Sequence, residues 1–356
     1  VVQQLELSEY FESIVCVTAQ HREMLDQVLS LFEIKPDYDL NIMMPGQTLS
    51  MLTERIISKL DKIIEDIKPS IILVHGDTTT TFVSSLCAFY HKIPIGHVEA
   101  GLRTGDLTSP WPEEGNRKLT GAIASLHFAP TETSKNNLLG EKVSAENIFV
   151  TGNTVIDSLL NVIKIIDEDK QIKQEIESIL PNIPSDQKII LVTAHRRENF
   201  GVGFENICGA IVELAEEFSD AHFIFPVHLN PNVRKPVSKI LSGKENIHLI
   251  EPLEYLQFIY LMSKSYIVLT DSGGIQEEAP SLGKPVLVMR NTTERPEAVD
   301  AGTVLMVGTE KTKIIENTRK LLQDEGLYNK MSISHNPYGD GQASIRIIDA
   351  IYDYLN

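Results

Sequence analysis

The chain has 356 residues, of which 42% are hydrophobic and 23% are charged. This composition is typical of a soluble globular protein that is long enough for two domains. The formal net charge of −17 at pH 7 argues against nucleic acid or an acidic membrane surface as a partner, because both require a concentrated basic surface. No apolar run reaches the length of a membrane span and no secretory leader is recognisable, so a cytoplasmic protein is expected.

The cysteines and the start of the chain carry two further expectations. Cys16, Cys87 and Cys208 are isolated, without paired CxxC spacing, which predicts reduced core thiols and no structural metal site. The chain opens at Val1 without methionine, as if part-way into a helix, and a strand-like segment follows at 14–18. We expect that the natural protein has an earlier strand and loop.

The first half of the chain alternates predicted helices and strands. Apolar residues recur at helical spacing from Leu49 to Ile67, which predicts an amphipathic helix capped near Thr48 and stopped by Pro69. Strands are predicted at 70–74, 93–98, 126–129 and 148–151, and helices over 79–90 and from residue 118 onward. This alternation indicates βαβ units and a mostly parallel sheet.

Residues 167–187 are rich in Asp, Glu and Lys and include two prolines, which indicates a helix and a linker between domains. Six strands are predicted beyond them, near 188–193, 222–227, 247–250, 266–270, 285–289 and 304–307. We therefore predict an α/β fold with two Rossmann-like domains, whose parallel sheets face a cleft. The predicted domains are 1–165 and 166–337, and residues 338–356 should form a helix that packs back on the first domain.

The segment from Ile267 to Arg295 has the pattern of a phosphate site. A β-branched strand is followed by Ser272, Gly273 and Gly274 and then by an acidic helix. The backbone N–H groups at such a helix start suit a phosphate or pyrophosphate, and Glu277 or Glu278 could accept hydrogen bonds from a ribose. The alternative is an ordinary βαβ turn with solvated acids.

Polar residues also follow the strands of the first domain. Asp77 and Glu99 each come after a strand, and Glu113 and Arg117 lie in the loop beyond. Asp77 could instead be a helix N-cap, and Glu113 with Arg117 could be an i,i+4 surface pair. Glu99 is harder to explain structurally, because an acid at a buried strand end needs partners.

In the second domain a cationic cluster follows the strand at 188–193. It consists of His195, Arg196 and Arg197, while His228 and Arg295 follow two other strands. A solvated basic patch is the alternative, although this acidic chain rarely groups cations. Cations opposite a glycine turn suggest a diphosphate held from two sides, and the three carboxylates of the first domain suggest proton transfer.

Seven ordered motifs carry a family resemblance. They are His75-Gly76-Asp77-Thr78, Val98-Glu99-Ala100-Gly101-Leu102-Arg103, Pro112-Glu113-Glu114 with Asn116-Arg117, His195-Arg196-Arg197-Glu198-Asn199, Thr270-Asp271-Ser272-Gly273-Gly274 with Gln276-Glu277-Glu278, Thr293-Glu294-Arg295-Pro296-Glu297 and Asn336-Pro337-Tyr338-Gly339-Asp340-Gly341. The chain resembles the bacterial non-hydrolysing UDP-N-acetylglucosamine 2-epimerases along its whole length.

The resemblance implies a glycosyltransferase-B architecture and the interconversion of UDP-GlcNAc and UDP-ManNAc, without a cofactor or a metal, in a homodimer. The products of such enzymes feed cell-envelope polysaccharides such as teichoic-acid linkage units and capsules. It implies that Asp77, Glu99, Glu113, His195 and Arg117 serve catalysis. It implies that UDP is bound by Arg197, Phe258, Ser272, Gly273, Gly274, Glu278 and Arg295.

Two departures from the family accompany the resemblance. Members begin with a strand and a Gly-Thr-Arg-Pro-Glu-Ala-Ile-Lys loop that is missing here, so a chain that truly starts at Val1 should be unstable and poorly active. Members also bind a second UDP-GlcNAc as an activator, at positions that match Gln20, His21, Gln47, Glu113 and His228. Glu23 and Gly46 stand where many members have Gln and Arg.

Three alternative functions use the same residue pattern. A hydrolysing relative would release free ManNAc, a retaining glycosyltransferase would share the architecture, and a UDP-sugar sensor would bind without chemistry. A sensor would not need all three of Asp77, Glu99 and Glu113.

Overall fold

The computed structural model describes residues 1–20 and 22–356, with the backbone alone at residues 23 and 24. The chain forms two compact units: unit 1 contains Val1–Asp157 with Gly341–Asn356, and unit 2 contains Ser158–Asp340. The domain bounds drawn from the sequence, after residues 165 and 337, stay predictions.

The strands form parallel sheets in both units. They are β1 (Cys16–Val17), β2 (Tyr38–Asp39), β3 (Ile72–His75), β4 (Ile95–Val98), β5 (Leu126–Ala129), β6 (Ile148–Val150), β7 (Lys188–Thr193), β8 (Ala221–Pro226), β9 (Ile247–Ile250), β10 (Ile267–Thr270), β11 (Val286–Val288) and β12 (Val304–Met306). Unit 1 has the pair β1-β2 and a sheet of order β3-β4-β5-β6, and unit 2 has a sheet of order β12-β11-β10-β7-β8-β9. The prediction of an α/β fold with parallel sheets is confirmed.

Helices connect the strands. They are α1 (Val2–Glu6), α2 (Arg22–Leu31), α3 (Leu49–Ile67), α4 (Thr79–Tyr90), α5 (Glu113–Ile123), α6 (Glu132–Gly140), α7 (Thr154–Glu168), α8 (Lys170–Ile179), α9 (Val202–Glu217), α10 (Pro231–Leu241), α11 (Tyr255–Lys264), α12 (Ile275–Ser281), α13 (Pro296–Asp300), α14 (Lys311–Gln323), α15 (Glu325–Ser332) and α16 (Ala343–Leu355). Short 3₁₀ turns occur at Ala145–Asn147 and Arg197–Asn199. No described helix combines the length and the apolar character needed to cross a membrane.

Helix α3 shows how local sequence sets these elements. The Thr48 hydroxyl accepts a hydrogen bond from the Met51 N–H at 3.3 Å, as an N-cap does. At the other end Lys68 adopts the left-handed conformation, with φ 50°, and Pro69 follows it. The apolar stripe that includes Ile56 is buried, and burying one such side chain contributes roughly 1.5–3 kcal/mol.

The unit 1 sheet is covered by the last helix of the chain. Ile347 and Ile351 of α16 pack in one buried cluster with Val98 of β4 and Phe128 of β5. Every residue of β4 and β5 is buried, as expected for a parallel sheet with both faces covered. The packing of α16 assigns the end of the chain to unit 1.

The unit 2 sheet reverses its strand order between β7 and β10. These strands are neighbours, yet β8 and β9 extend the sheet in one direction from β7 while β11 and β12 extend it in the other from β10. Thr193 and Thr270 are paired in register, and their hydroxyl oxygens lie 2.6 Å apart. The carboxyl ends at such a reversal are the usual ligand position of doubly wound sheets.

Candidate active site

The turn after β3 presents Asp77 as a partner of Arg117. Thr78, not Asp77, caps α4, because the Thr78 hydroxyl accepts the Thr81 N–H at 3.3 Å. The Arg117 guanidinium donates to Asp77 Oδ2 from Nε at 3.0 Å and from Nη2 at 2.7 Å. The interpretation of Asp77 as a helix cap is therefore wrong, and its carboxylate is free of that local task.

Arg117 is fixed by a second, buried acid. Glu114 accepts from Arg117 Nη1 at 3.1 Å and from the backbone N–H groups of Thr104 and Gly105 at 3.2 Å each. The structure thus shows Arg117 paired with Asp77 and Glu114 in place of the surface pair with Glu113. Helix α5 begins at Glu113 rather than at Lys118, since acids in the first turn suit the helix dipole.

Glu99 lies beside the Asp77 turn. Its Oε1 accepts from Asn153 Nδ2 at 3.1 Å, and its Oε2 is 3.8 Å from His75 Nε2. A Cβ added to Gly76 would meet Glu99 Oε2 at 3.4 Å. The Glu99 carboxylate thus lies next to the residue that precedes Asp77, and the partner expected for an acid at this strand end is Asn153.

The remaining candidates of unit 1 lie on other elements. Glu113 opens α5 and is half-buried. Gln20 accepts from the Thr80 hydroxyl at 3.2 Å, and Gln47 accepts from the Met44 N–H at 3.0 Å. His21 lies outside the described residues.

In unit 2 the cationic loop after β7 folds around Asp271. This fully buried carboxylate accepts the backbone N–H of His195 at 3.0 Å, the N–H of Arg196 at 2.9 Å and Asn199 Nδ2 at 3.0 Å. Arg197, in the same loop, is exposed. The loop is thus a shaped structure and not a loose basic patch. Asp271 was not among the site residues predicted from the sequence. Its position directly after an apolar strand could have indicated that it is a buried, partnered acid.

His195 stacks on His228. The two rings lie 5.5 Å apart at an interplanar angle of 16°, and His228 Nδ1 accepts the Asn230 N–H at 3.1 Å. Burial lowers the pKa of His195, Asp271 raises it, and His228 and Arg196 lower it further. Because this pKa falls below its ordinary value near 6.5, His195 is mainly neutral at pH 7.

The glycine turn after β10 leads directly into α12, as predicted. Gly274 is the N-cap of this helix, and the Ser272 N–H donates to the Thr270 hydroxyl at 2.9 Å. Arg196 Nη2 lies 3.8 Å from where a Cβ of Gly273 would stand. The turn therefore has a guanidinium beside it, a suitable setting for an anion.

The acids of α12 are buried and partnered, so the interpretation of solvated acids is wrong. Glu277 forms an ion pair with Arg295. Glu278 accepts from the Tyr255 hydroxyl at 3.1 Å. Burial, together with Glu277, raises the pKa of Glu278 to about 7 against the effect of the Tyr255 bond. Phe258 is half-buried on α11, the helix that carries Tyr255.

Arg290 connects the loops after β7 and β11 and was not singled out from the sequence. This buried guanidinium donates to Glu198 at 2.6 Å and to both carboxylate oxygens of Glu294 at 2.8 and 3.0 Å. The bonds from Arg290 lower the pKa of Glu294 to about 2. The network holds the neighbours of Arg197 and Arg295, the two arginines predicted to bind a diphosphate. Among the described side chains, no cluster of three or more His, Cys, Asp or Glu could hold a metal ion.

Comparisons with known proteins place this chain in a family. The model of the UDP-N-acetylglucosamine 2-epimerase family matches residues 3–352. The curated UDP-N-acetylglucosamine 2-epimerase of Escherichia coli K12 is 60% identical over 350 residues, covering 98% of this chain and 93% of the relative.

Two solved structures agree. The crystal structure of UDP-GlcNAc 2-epimerase from Neisseria meningitidis bound to UDP-GlcNAc is 58% identical, with a TM-score of 0.90 and coverage of 99% and 95% of the two chains. The Methanocaldococcus jannaschii UDP-GlcNAc 2-epimerase in complex with UDP-GlcNAc and UDP is 34% identical, with a TM-score of 0.78 and coverage of 99% and 94%. The chain belongs to the UDP-N-acetylglucosamine 2-epimerase family.

Proposed function

We propose that this protein interconverts UDP-N-acetylglucosamine and UDP-N-acetylmannosamine by inverting C2 of the sugar. The observation that carries the proposal is the family match over residues 3–352, within which two partly exposed carboxylates follow neighbouring strands. Relatives with more than half of their residues identical bear this activity in their names.

The chemistry explains the need for acids and bases. The C2 proton is not next to a carbonyl, so its direct removal is unfavourable. Loss of that proton to a base together with cleavage of the C1–O bond to UDP forms a C1–C2 double bond and releases UDP. Attack of the UDP oxygen on C1 and delivery of a proton to the opposite face of C2 complete the inversion. The steps need a base, an acid and cations that stabilise the departing diphosphate.

Unit 2 supplies the nucleotide site in this proposal. The turn of Ser272, Gly273 and Gly274 has the backbone donors and the neighbouring guanidinium that a diphosphate requires. Glu278 accepts from the ribose, and Phe258 lies by the uracil. Arg197 is exposed and available for the diphosphate.

The role of Arg295 in binding UDP must take account of its ion pair. It is ion-paired with Glu277, so we assign it a role in which Glu277 orients the guanidinium toward the diphosphate. In this proposal Arg295 binds UDP, as the family resemblance implies, and Glu277 positions its side chain.

Unit 1 supplies the proton-transfer groups. Asp77 and Glu99 are partly exposed carboxylates at adjacent strand ends, Glu113 is a third, and Arg117 fixes Asp77. His195 of unit 2, neutral at pH 7, is the further group that catalysis requires.

The deciding experiment is incubation of the purified protein with UDP-GlcNAc in D2O, followed by NMR of the sugar. The proposal requires UDP-ManNAc with deuterium at C2. Free ManNAc and UDP would identify a hydrolysing enzyme, and an unchanged sugar with measurable binding would identify a sensor. Boiled protein is the control for spontaneous exchange.

Regulation, assembly and location complete the proposal. Gln20, His21, Gln47, Glu113 and His228 match the family positions for an activating UDP-GlcNAc. The protein acts as a cytoplasmic homodimer whose product feeds cell-envelope polysaccharides, on the strength of the family resemblance. Velocity curves for UDP-ManNAc with and without traces of UDP-GlcNAc test activation, and light scattering of the purified protein tests the dimer.

A further inference from the structure

The turn that carries Asp77 has its backbone held by side chains from three elements. The His75 carbonyl accepts from the Thr81 hydroxyl of α4, the Gly76 carbonyl from His97 Nε2 of β4 at 2.8 Å, and the Asp77 carbonyl from Asn116 Nδ2 of α5 at 2.9 Å. All three donors are buried. Three consecutive carbonyls are thus fixed independently of the Arg117 ion pair.

His97 stands out among these donors because its position is costly. It is buried on the sheet, and its second ring nitrogen, Nδ1, has no hydrogen-bond partner among the described residues. A buried acceptor left unpaired is unfavourable, and each such group in a native protein calls for an explanation. Burial holds the pKa of His97 down to about 3, so the ring is neutral.

The tautomer of His97 follows from its partner. A carbonyl can only accept, so Nε2 carries the proton and donates to Gly76. Gly76 adopts a left-handed conformation with φ 72° and also donates its N–H to the Val98 carbonyl at 3.0 Å. The imidazole therefore pins the one residue of the turn whose backbone has the widest freedom.

We propose that His97 is a positioning residue of the epimerase reaction, which holds the Asp77 carboxylate in place through the Gly76 carbonyl. The proposal rests on the proposed function, in which Asp77 transfers a proton. His97 touches neither the substrate nor the reacting atoms. Displacement of a reacting group by about 1 Å can lower a rate by about 100-fold. A hydrogen bond that fixes the backbone of this turn can therefore affect the rate.

His127 provides a matched control within the same sheet. It lies beside His97 in register on β5, is equally buried, and also leaves Nδ1 without a partner in the described part of the chain. Its ring is hydrogen-bonded to the backbone of Ala124, at the end of α5 and away from the Asp77 turn. A general effect of losing a buried imidazole would appear at both positions.

The test compares His97→Met, His97→Gln and His127→Met. Gln can place an amide N–H near the position of Nε2, whereas Met has a similar shape and no donor. We expect kcat to fall by about 10- to 100-fold in His97→Met, with KM for UDP-GlcNAc within about twofold of the wild-type value because unit 2 holds the nucleotide. His97→Gln and His127→Met should keep kcat within about threefold, and thermal unfolding checks that all three are folded.

Several outcomes would overturn the positioning role. They are a wild-type kcat in His97→Met, an equal loss in His97→Gln, an equal loss in His127→Met, or a rise in KM alone. If His97→Met does not fold, His97→Asn takes its place, since its shorter amide cannot reach Gly76, and the same comparison with Gln applies. A wild-type protein without epimerase activity would instead refute the proposed function and not the packing argument.

Discussion

Two sets of carboxylates follow strands in this protein, and they differ in how completely they are satisfied. In unit 1 the Asp77 and Glu99 side chains are 29% and 20% exposed. In unit 2 the Asp271 and Glu277 side chains are 0% and 3% exposed. Asp77 and Asp271, which each come after a strand, therefore have two different environments, and Glu277 within α12 is buried like Asp271.

The difference separates groups that can react from groups that shape the site. Asp271 is fully buried and accepts three hydrogen bonds from the loop it organises, so its carboxylate is not accessible to a substrate. Asp77 has one oxygen, Oδ2, engaged by Arg117 and the rest of the carboxylate available. A proton-transfer group must combine fixed orientation with access, and of the two aspartates Asp77 does so while Asp271 does not.

The substitution with the largest expected effect on activity is Asp77→Asn. Because the amide keeps the size but cannot accept a proton, kcat should fall roughly 10²- to 10⁴-fold while UDP binding is unchanged. The measurement is the rate of UDP-ManNAc formation by NMR, with UDP affinity from calorimetry. Glu114→Gln is unsuitable as a control because Glu114 holds Arg117. The control is Glu132→Gln, at an exposed position on α6. A fall in UDP affinity that matches the fall in kcat would contradict the division of labour.

Asp271→Ala should act on stability and nucleotide binding together. It leaves the N–H groups of His195 and Arg196 and the amide of Asn199 without their acceptor, which costs roughly 2–4 kcal/mol of unfolding free energy. Denaturant unfolding measures this value. The exposed Asp300→Ala, in the same unit, should change stability by less than about 0.5 kcal/mol. A fully stable Asp271→Ala variant that has lost only kcat would mean that Asp271 is itself reactive.

A smaller, pH-dependent effect is expected for Glu278→Gln. The folded pKa of Glu278, about 7, lies above the ordinary value of 4.5, so its contribution to stability is fully present below about pH 4.5 and is lost as pH rises through about 7. Gln does not ionise and can still accept the Tyr255 hydrogen bond. The variant should match the wild type near pH 4 and exceed its stability at pH 8 by an amount on the order of 3 kcal/mol.

Unfolding of both proteins in denaturant at pH 4 and pH 8 checks this prediction. The same offset at both pH values would show that ionisation of Glu278 is not involved. UDP affinity should fall at pH 8 in the variant, because the ribose loses its charged acceptor.

The local patterns of the sequence predicted the described strands except the two-residue β2 (Tyr38–Asp39), and they predicted the glycine turn after β10. These features depend on residues that are neighbours in the chain, such as the β-branched run from Ile267 followed by Gly273 and Gly274. The same patterns placed Asp77 and Glu99 at strand ends, where the structure shows them. Periodicity and turn chemistry were sufficient for that much.

The pairing of side chains was beyond the same reasoning. Arg290 and Glu198 are 92 positions apart, and His195 and Asp271 are 76 apart, so no local spacing indicates either contact. Two acids, Glu113 and Glu114, precede Arg117 at helical spacing. Arg117 pairs with the buried Glu114 and with the distant Asp77. Burial in the folded protein decides which partner a charged side chain takes, and local sequence patterns do not indicate that burial.

The backbone of Glu99 has a consequence for the evolution of this chain. With φ at 64°, it occupies the left-handed region, which costs a residue with a side chain roughly 1–2 kcal/mol and which glycine enters freely. Replacement by glycine would therefore relieve strain while removing a carboxylate to which the proposed function gives a proton-transfer role. Stability and activity are opposed at this single position. If Glu99 transfers a proton as proposed, selection for stability alone would favour glycine here, and selection for turnover would keep the glutamate.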